Sequence, residues 1–339
     1  MTSPGLLPDT KSDGLARTAA ILLVLLLILA AISLLRLCVG TQDFGWPGDD
    51  SVLELRRLRM FSAIVVGSSL AVSGVALQAL LRNPLAEPFI LGLSTGAGAG
   101  VMAQLALGYY IHRHMGATQI GATIGAGITM FVVFIASRRR GTIDPIGLLL
   151  VGVVLSTISG AFIMILQQLV PGGAVQDVAR WMLGYIEEGL DRWVYLAVTG
   201  VAGLSIITML VWGQAMDAAT FSEVEAESLG VPLRALRVIL FVVSTVLAAG
   251  AVVLAGPISF VGLIAPHVAR LLLGPSHRAL IVAAAMVGAV LILGADMASS
   301  ILAYKLHIGR LPMGIFTALI GGPAFLWMLR PQLGRGVES

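Results

Sequence analysis

Few residues of this sequence have types and spacing that could support catalysis or metal binding. The two lysines, Lys11 and Lys305, stand outside any G-x-x-x-x-G-K-[ST] stretch, so the chain has no phosphate-binding P-loop of its own. No histidine is followed by glutamate, which excludes the H-E-x-x-H pattern of zinc hydrolases. The single cysteine, Cys38, cannot form an intramolecular disulfide or hold a metal cluster. We therefore expect no metal or cofactor bound by this chain alone.

One carboxylate, Asp296, falls inside a long apolar stretch of the sequence. A charged group at membrane depth is costly and usually marks a functional site or a specific partner. Two roles are open for it: a proton-coupling site, or a structural hydrogen-bond acceptor near the outer end of its helix. Ion-coupled carriers usually show several such groups facing a cavity, so we expect the structural role.

The composition indicates that a lipid bilayer is the solvent for most of the chain. Of the 339 residues, 58% are hydrophobic and 12% are charged, and the mean hydropathy is +0.96. Soluble domains carry about 25% charged residues, so a water-soluble surface cannot be built from this sequence. The net charge of +3 arises from basic residues that stand singly or in short runs between apolar segments. This distribution favours orientation in a membrane over nucleic-acid binding.

About ten segments are apolar enough to form a spanning helix, which needs about 20 residues. The predicted spans are 18–39, 60–81, 89–110, 117–137, 146–170, 193–213, 235–255, 258–273, 279–303 and 311–329. The eighth is short and contains Pro257 and Pro266, so we expect a broken or re-entrant element packed within protein. The sequence thus predicts an all-α polytopic membrane protein.

Basic residues in alternate loops predict the orientation of the chain. They place both termini in the cytoplasm, with tails at 1–17 and 331–339 around a single transmembrane domain at 18–330. The first apolar run is long for a signal peptide and no clean cleavage site follows it, so we expect an uncleaved first helix. Two outer places break the positive-inside pattern: Arg56, Arg57 and Arg59 at the predicted start of the second span, and Lys305 with Arg310 in the last outer loop.

A polar hinge interrupts the apolar pattern after the second span. Residues 82–100 read RNPLAEPFILGLSTGAGAG, in which two prolines break the helix and glycines then recur at every fourth position. Small residues at this spacing let helices approach closely in lipid. The stretch AGPISFVGLIAP follows the seventh span, on the opposite side of the membrane. Interrupted segments at corresponding places of two halves indicate an inverted repeat with a pathway between them. Taken alone, the Asn-Pro pair would also fit a plain cytoplasmic turn.

One predicted cytoplasmic loop, residues 214–237, is long and polar but still prone to form a helix. Ser222 can cap a short helix whose first turn contains Glu223 and Glu225, and Gly230 and Pro232 would end it. Such an amphipathic helix on the cytoplasmic surface would suit the docking of a partner, although an ordinary solvated loop would also fit these residues.

Five stretches of the chain resemble the FecCD family, the membrane permeases of ABC importers for iron–siderophore complexes, haem and cobalamin. They are NPLAEPFILGLSTGAGAG, SLGVPLRALR, GPISFVGLIAPHVARLLLGPSHR, GADMASSILA and LPMGIFTALIGGPAFLWML, spread between residues 54 and 329. The resemblance implies a type II ABC importer fold with ten helices in each of two permease subunits, which form a homodimer or a heterodimer. It also implies two cytoplasmic ATPase subunits that bind ATP and magnesium, and a periplasmic or lipid-anchored binding protein that delivers the substrate.

The resemblance also implies roles for three groups of residues. A cytoplasmic gate is implied at Asn83, Pro84 and Leu85, and at Asp144, Pro145, Ile146 and Gly147. Coupling to the ATPase is implied for Glu223, Glu225, Ala226, Leu229, Gly230, Val231 and Pro232. Docking of the binding protein is implied for Arg56, Arg57, Arg59, Lys305 and Arg310, with snorkelling to lipid phosphates as the alternative. Arg310 departs from the family pattern, which usually has Glu immediately before Leu-Pro.

The predicted function is the permease subunit of an ATP-driven importer in the inner or plasma membrane of a bacterium or archaeon. The main alternative is a secondary carrier driven by protons or sodium, which would depend on Asp296 rather than on the 214–237 loop. An intramembrane enzyme is disfavoured because the sequence offers no catalytic pair. The sequence does not distinguish among the substrates of the family, and specificity is expected to reside in the binding protein.

Overall fold

Helices form nearly all of the structure, a computed structural model that describes residues 10–41, 44–110, 118–139, 142–186, 190–221 and 223–333. Within these ranges there are twelve α-helices. They are α1 (Thr10–Cys38), α2 (Asp50–Leu81), α3 (Leu93–Tyr110), α4 (Gln119–Ala136), α5 (Pro145–Gln167), α6 (Gly172–Met182), α7 (Arg192–Ala218), α8 (Glu223–Ser228), α9 (Leu233–Ala255), α10 (Val261–Leu273), α11 (His277–Leu306) and α12 (Met313–Leu333). A 3-10 helix at Pro88–Leu91 precedes α3, and strands β1 (Arg138–Arg139) and β2 (Thr142–Ile143) pair antiparallel before α5.

A helix lies at each of the predicted spans. In the described ranges, seven helices are long and apolar enough to cross a membrane, namely α1, α2, α4, α5, α7, α9 and α11. Helix α10 and the apolar part of α12 are shorter. The prediction of an all-α polytopic membrane protein is confirmed. The number of crossings, the domain boundaries and the cytoplasmic location of both termini stay predictions.

Helices α2, α9 and α11 form the centre of the bundle. Most of their apolar windows are buried, whereas α1, α5 and α7 leave most of theirs exposed, as contact with lipid or a second subunit requires. Where α2 crosses α11, a Cβ added to Gly67 would lie 2.2 Å from the Gly288 carbonyl oxygen, so the two backbones touch. Ser73 and Ser244 join α2 to α9, since each hydroxyl donates to the other residue's carbonyl. Small and hydroxyl-bearing residues therefore set the spacing of the core.

Helices α3 and α4 pack through the glycine repeat that the sequence singled out. A Cβ on Gly100 would lie 2.0 Å from the Gly121 carbonyl oxygen, and one on Gly125 would lie 2.2 Å from the Gly96 carbonyl oxygen. Gly92 does not belong to this contact. It ends the 3-10 helix in the left-handed conformation and lies against α5. The glycine contacts between α3 and α4 therefore begin at Gly96 and not at Gly92.

Two elements differ from the sequence prediction. Helix α2 begins at Asp50 rather than near residue 60, because the Asp49 side chain caps it by accepting the Ser51 N–H at 2.9 Å. The three outer arginines consequently lie inside the first turns of α2. Helix α6, which was not predicted, follows the break at Pro171 and has 11 residues, too few to span a bilayer.

The predicted break around the eighth span is confirmed. Residues 256–260 after α9 are not helical, and α10 has only 13 residues with Pro266 inside it. Phe260, immediately before α10, adopts the left-handed conformation with φ 71°. A non-helical segment at this depth requires hydrogen-bond partners from other parts of the protein.

Candidate functional site

The first predicted gate element, Asn83, Pro84 and Leu85, forms a tight turn at the end of α2. Arg82 ends the helix in the left-handed conformation, and the Asn83 side chain accepts the Leu85 N–H at 2.9 Å. This side-chain turn fixes the path of the chain where Pro84 cannot donate a hydrogen bond. Asn83 and Pro84 are exposed and Leu85 is half-buried.

The second predicted gate element begins α5. Asp144 caps this helix by accepting the Ile146 N–H at 3.3 Å, and Pro145 occupies the first helical position, where no donor is needed. Ile146 is exposed, and Gly147 lies beside its own cap. The 3-10 helix that follows the first gate element packs on the same α5, since a Cβ on Gly152 would lie 2.6 Å from the Ile90 carbonyl oxygen. The 3-10 helix at Pro88–Leu91, which follows the first gate element, thus packs on α5, the helix that begins with the second gate element.

The 214–237 loop contains the predicted short helix. Helix α8 covers Glu223–Ser228, while α7 and α9 absorb the two ends of the loop, and Ser222 lies outside the described residues. Gly230 ends α8 with φ 78°, and the Val231 N–H bonds to the Ala226 carbonyl at 3.1 Å. Ala226 is buried, whereas Glu223, Glu225, Leu229 and Pro232 are exposed. The short helix is confirmed; contact with an ATPase stays a prediction.

An ion pair and a pair of hydrogen bonds fasten this loop to the helices around it. Arg237 on α9 binds Glu223 with a nitrogen–oxygen distance of 2.5 Å. Asp217, near the end of α7, accepts both the backbone N–H of His277 at 2.8 Å and its ring Nδ1 at 2.7 Å. Since His277 begins α11, this contact links the loop to the connection between α10 and α11.

A cavity of about 370 Å³ separates the loop from the first gate element. Asn83 and Pro84 line one side of it, and Ala219, Thr220 and Leu233, which flank α8, line another. Arg82, Arg237, Arg270 and His277 also contribute to its walls. Residues that flank α8 and residues of the gate turn therefore line one cavity at the same end of the bundle.

A buried ion triad joins α1, α2 and α11 at the other end of α11. Asp296 accepts the Arg36 Nε at 2.5 Å and the Arg59 Nε at 2.8 Å, and each of the three residues is at most 3% exposed. Arg36 also donates to the Val39 carbonyl at 2.7 Å, and Arg59 to the Ile186 carbonyl at 3.2 Å. The prediction of a structural acceptor at Asp296 is confirmed. Arg36 was not singled out from the sequence, although an arginine in one span and a carboxylate in another should seek each other.

The outer arginines differ in exposure, and this corrects their predicted role. Arg56 is 7% exposed and donates to the carbonyls of Leu37 at 2.8 Å and Gly45 at 3.0 Å. Arg59 is 3% exposed and bound to Asp296. Side chains buried within their own chain do not fit docking to an acidic partner. Of these three arginines only Arg57 is exposed.

Lys305 and Arg310 lie on either side of the turn between α11 and α12. Lys305 is exposed in the last turn of α11, whereas Arg310 is half-buried beside a cavity of about 650 Å³ that Asp177, Arg180 and Tyr185 also line. Burial, followed by the neighbouring Arg59 and Arg36 cations, lowers the pKa of Arg310 to about 9. This value is above neutral pH, so Arg310 keeps its charge.

Two further side chains, which the sequence interpretation assigned no contact, reach the start of α10. Gln78 on α2 donates through Nε2 to the Gly262 carbonyl at 3.2 Å. Glu87, in the segment after the gate turn, accepts the N–H of Phe260. Burial raises the pKa of Glu87, and the bond from Phe260 acts in the opposite direction. Both contacts join residues more than 170 positions apart, so the local spacing of residues in the sequence could not predict them.

The fold and this arrangement define a class of protein: a multi-pass cell-membrane transport protein whose central helix α2 ends at a tight turn, beside a cavity that residues flanking α8 also line. The model of the FecCD transport family matches residues 18–331. The chain belongs to the FecCD transport family and is an ABC importer permease.

Relatives with similar sequences are named as permease proteins of import systems. The chain is 34% identical over 322 residues to the vitamin B12 import system permease protein BtuC of Klebsiella pneumoniae, covering 92% of this chain and 94% of the relative. It is also 34% identical to the cobalamin import system permease protein BtuC of Halobacterium salinarum, covering 86% of this chain and 76% of the relative. A solved structure described as "an inward-facing conformation of a putative metal-chelate type ABC transporter" superimposes with a TM-score of 0.81 at 27% identity, covering 92% of this chain and 99% of the other.

Proposed function

We propose that this chain forms, with a second permease subunit, the translocation pathway of an ATP-driven importer for a metal chelate of the cobalamin, ferric siderophore or haem type. Two cytoplasmic ATPase subunits bind ATP and magnesium, since the sequence has no P-loop. A periplasmic or lipid-anchored binding protein delivers the chelate to the outer side. The permease carries no catalytic group of its own.

The observation that carries this proposal is the cavity that residues flanking α8 share with the gate turn. An ATPase that pushes on α8 would move Ala219 and Leu233, which share that cavity with Asn83 and Pro84. The pairs Glu223–Arg237 and Asp217–His277 fasten the loop, so a push is passed to α9 and α11 rather than lost in a flexible segment. This geometry suits conversion of ATP-driven motion into movement of a gate.

The substrate class is supported by the relatives. Permeases named for vitamin B12 are 34% identical over most of this chain, and the superimposable structure belongs to a metal-chelate transporter. We therefore place cobalamin first among the chelates to be tested. The ion-coupled alternative is not favoured, because two arginines hold Asp296 in the interior where a coupling carboxylate would need access to water.

Copurification and a binding panel test this proposal. The tagged permease is coexpressed with the ABC ATPase and the binding protein of the same organism, and the complex is isolated in detergent. We expect the ATPase to copurify and the binding protein to retain cyanocobalamin, a ferric siderophore or haemin. A permease that elutes without an ATPase would contradict the proposed function. A binding protein that retains none of the three compounds would contradict the substrate class alone.

A further inference from the structure

The backbone of α10 lacks one internal hydrogen bond. Pro266 has no N–H, so the carbonyl four positions earlier, that of Gly262, receives no donor from it. Gln78 on α2 replaces that donor, with its Nε2 at 3.2 Å from the Gly262 oxygen. Gln78 itself is 4% exposed, so water does not take its place. A side chain of α2 thus supplies the hydrogen bond that the proline in α10 cannot donate.

The residue before α10 has a second unusual feature. Phe260 adopts the left-handed conformation with φ 71°, which is unfavourable for a side chain other than glycine, and its own side chain provides no cap for α10. Its N–H donates to the Glu87 carboxylate. Glu87 therefore holds the turn that lets the chain enter α10.

Close packing leaves little room for these elements to slide. A Cβ added to Gly262 would lie 2.9 Å from Pro88 Cδ and 3.0 Å from the Leu70 carbonyl oxygen. A Cβ on Gly74 would lie 1.9 Å from the Gly262 oxygen. Gln78 and Glu87 stand on either side of the gate turn at Asn83, and both hold the first residues of α10.

We propose that Gln78 and Glu87 form a clasp that fixes the gate turn to the start of α10, so that the two segments move as one unit during transport. Gln78 and Glu87 are positioning residues: they act through backbone groups of Gly262 and Phe260. This inference rests on the proposed function and adds to it the element through which the gate is moved.

The clasp completes a continuous route from the ATPase side to the gate. The 214–237 loop holds His277 through Asp217, and a connection at residues 274–276 joins His277 to the end of α10. From α10 the clasp reaches the chain on both sides of Asn83. A packed and hydrogen-bonded route of this kind is the physical basis on which two sites can be coupled, and substitution tests whether it is used.

The test measures movement of the gate without requiring a substrate. In a Cys38→Ser, Leu85→Cys background, the permease–ATPase complex is treated with a membrane-impermeant maleimide from the cytoplasmic side, with and without ATP and vanadate. We expect nucleotide to change the labelling rate in this background. Glu87→Ala should reduce that change up to about tenfold while ATP hydrolysis continues, because a hydrogen bond biases an equilibrium by up to about that factor. Glu87→Gln keeps an acceptor oxygen and should retain most of the response. Glu54→Ala is the matched control, because Glu54 is an exposed glutamate near the start of α2, at the other end of the helix from Gln78.

Each outcome decides the matter. If Glu87→Ala responds to nucleotide as the background does, the clasp does not move the gate and the proposal is wrong. If the background itself does not respond, the proposed function fails, and the clasp fails with it. Should Glu87→Ala not assemble, Glu87→Ala with Phe260→Gly is examined, since glycine adopts the left-handed conformation without cost. Assembly restored by Phe260→Gly supports the clasp, and no restoration overturns it.

Discussion

The Nε of Arg36 lies 2.5 Å from a carboxylate oxygen of Asp296, so the first helix is bound to a helix 260 positions later in the chain. Arg59 binds the other oxygen of the same carboxylate, with its Nε at 2.8 Å. The bond of Arg36 gives α1, whose surface is mostly exposed, a specific attachment to the core. The two arginines also give this buried carboxylate the charged partners that its position in the core requires.

Asp296→Ala should destabilise the protein by about 3–5 kcal/mol, because it leaves two buried arginines without their counter-ion. The measurement is the midpoint of thermal unfolding in detergent, followed by loss of monodispersity. The triple variant Arg36→Met, Asp296→Leu and Arg59→Leu should recover most of the loss, since replacing a whole buried ion cluster with apolar side chains is often neutral. A stable Asp296→Ala protein would show that the triad contributes little.

The sequence predicted the local breaks in the helices but not the contacts between distant helices. The break after α2, the break before α10 and the short helix before Gly230 were all predicted, because proline and glycine act locally on the backbone. The burial of Arg59 was not predicted, and it does not fit the docking role expected for this residue. The positive-inside rule marked Arg59 as unusual but could not show that α2 begins earlier and turns it towards Asp296. The contact of Gln78 with Gly262 spans 184 positions and depends on how two helices cross, which local spacing does not encode.

Arg57 is the outer arginine that remains for docking of the binding protein. Arg57→Glu should slow association several-fold and flatten its dependence on salt, because exposed charges act mainly on the rate of encounter. Adding Lys305→Glu should increase the effect. Surface plasmon resonance with the permease in nanodiscs, at several ionic strengths, measures both quantities. Arg139→Glu, an exposed arginine of the predicted cytoplasmic hairpin, is the control. An unchanged rate and salt slope for the double variant would identify both residues as lipid anchors.

Charge reversal on α8 should weaken binding of the ATPase. Glu223→Lys with Glu225→Lys inverts the exposed charge of the docking helix, and we expect less copurified ATPase and less uptake from a folded permease. Because Glu223 also binds Arg237, a second variant with Glu223→Lys, Glu225→Lys and Arg237→Glu restores an internal pair and separates the two effects. ATPase recovery equal to that of the unaltered chain would argue against α8 as the docking helix.

Gly230 should tolerate no side chain at the end of α8. Its φ of 78° is strained for other residues, so Gly230→Val should cost about 1–2 kcal/mol locally and shift α8 relative to α9. Copurification of the ATPase should fall. Gly127→Val on α4 is the control, because a Cβ there meets nothing within 4 Å. Equal ATPase recovery from the two variants would mean that the turn at Gly230 is not needed for coupling.

Uptake of the chelate by reconstituted vesicles tests the central claim most directly. The permease and its ATPase are reconstituted in proteoliposomes. The binding protein and radiolabelled cyanocobalamin are added on one side of the membrane, and ATP is present on the other. Siderophore and haemin are tested in parallel. The account predicts uptake that requires ATP and the binding protein and is insensitive to proton or sodium ionophores. Uptake without ATP, driven by an imposed proton or sodium gradient, would contradict it.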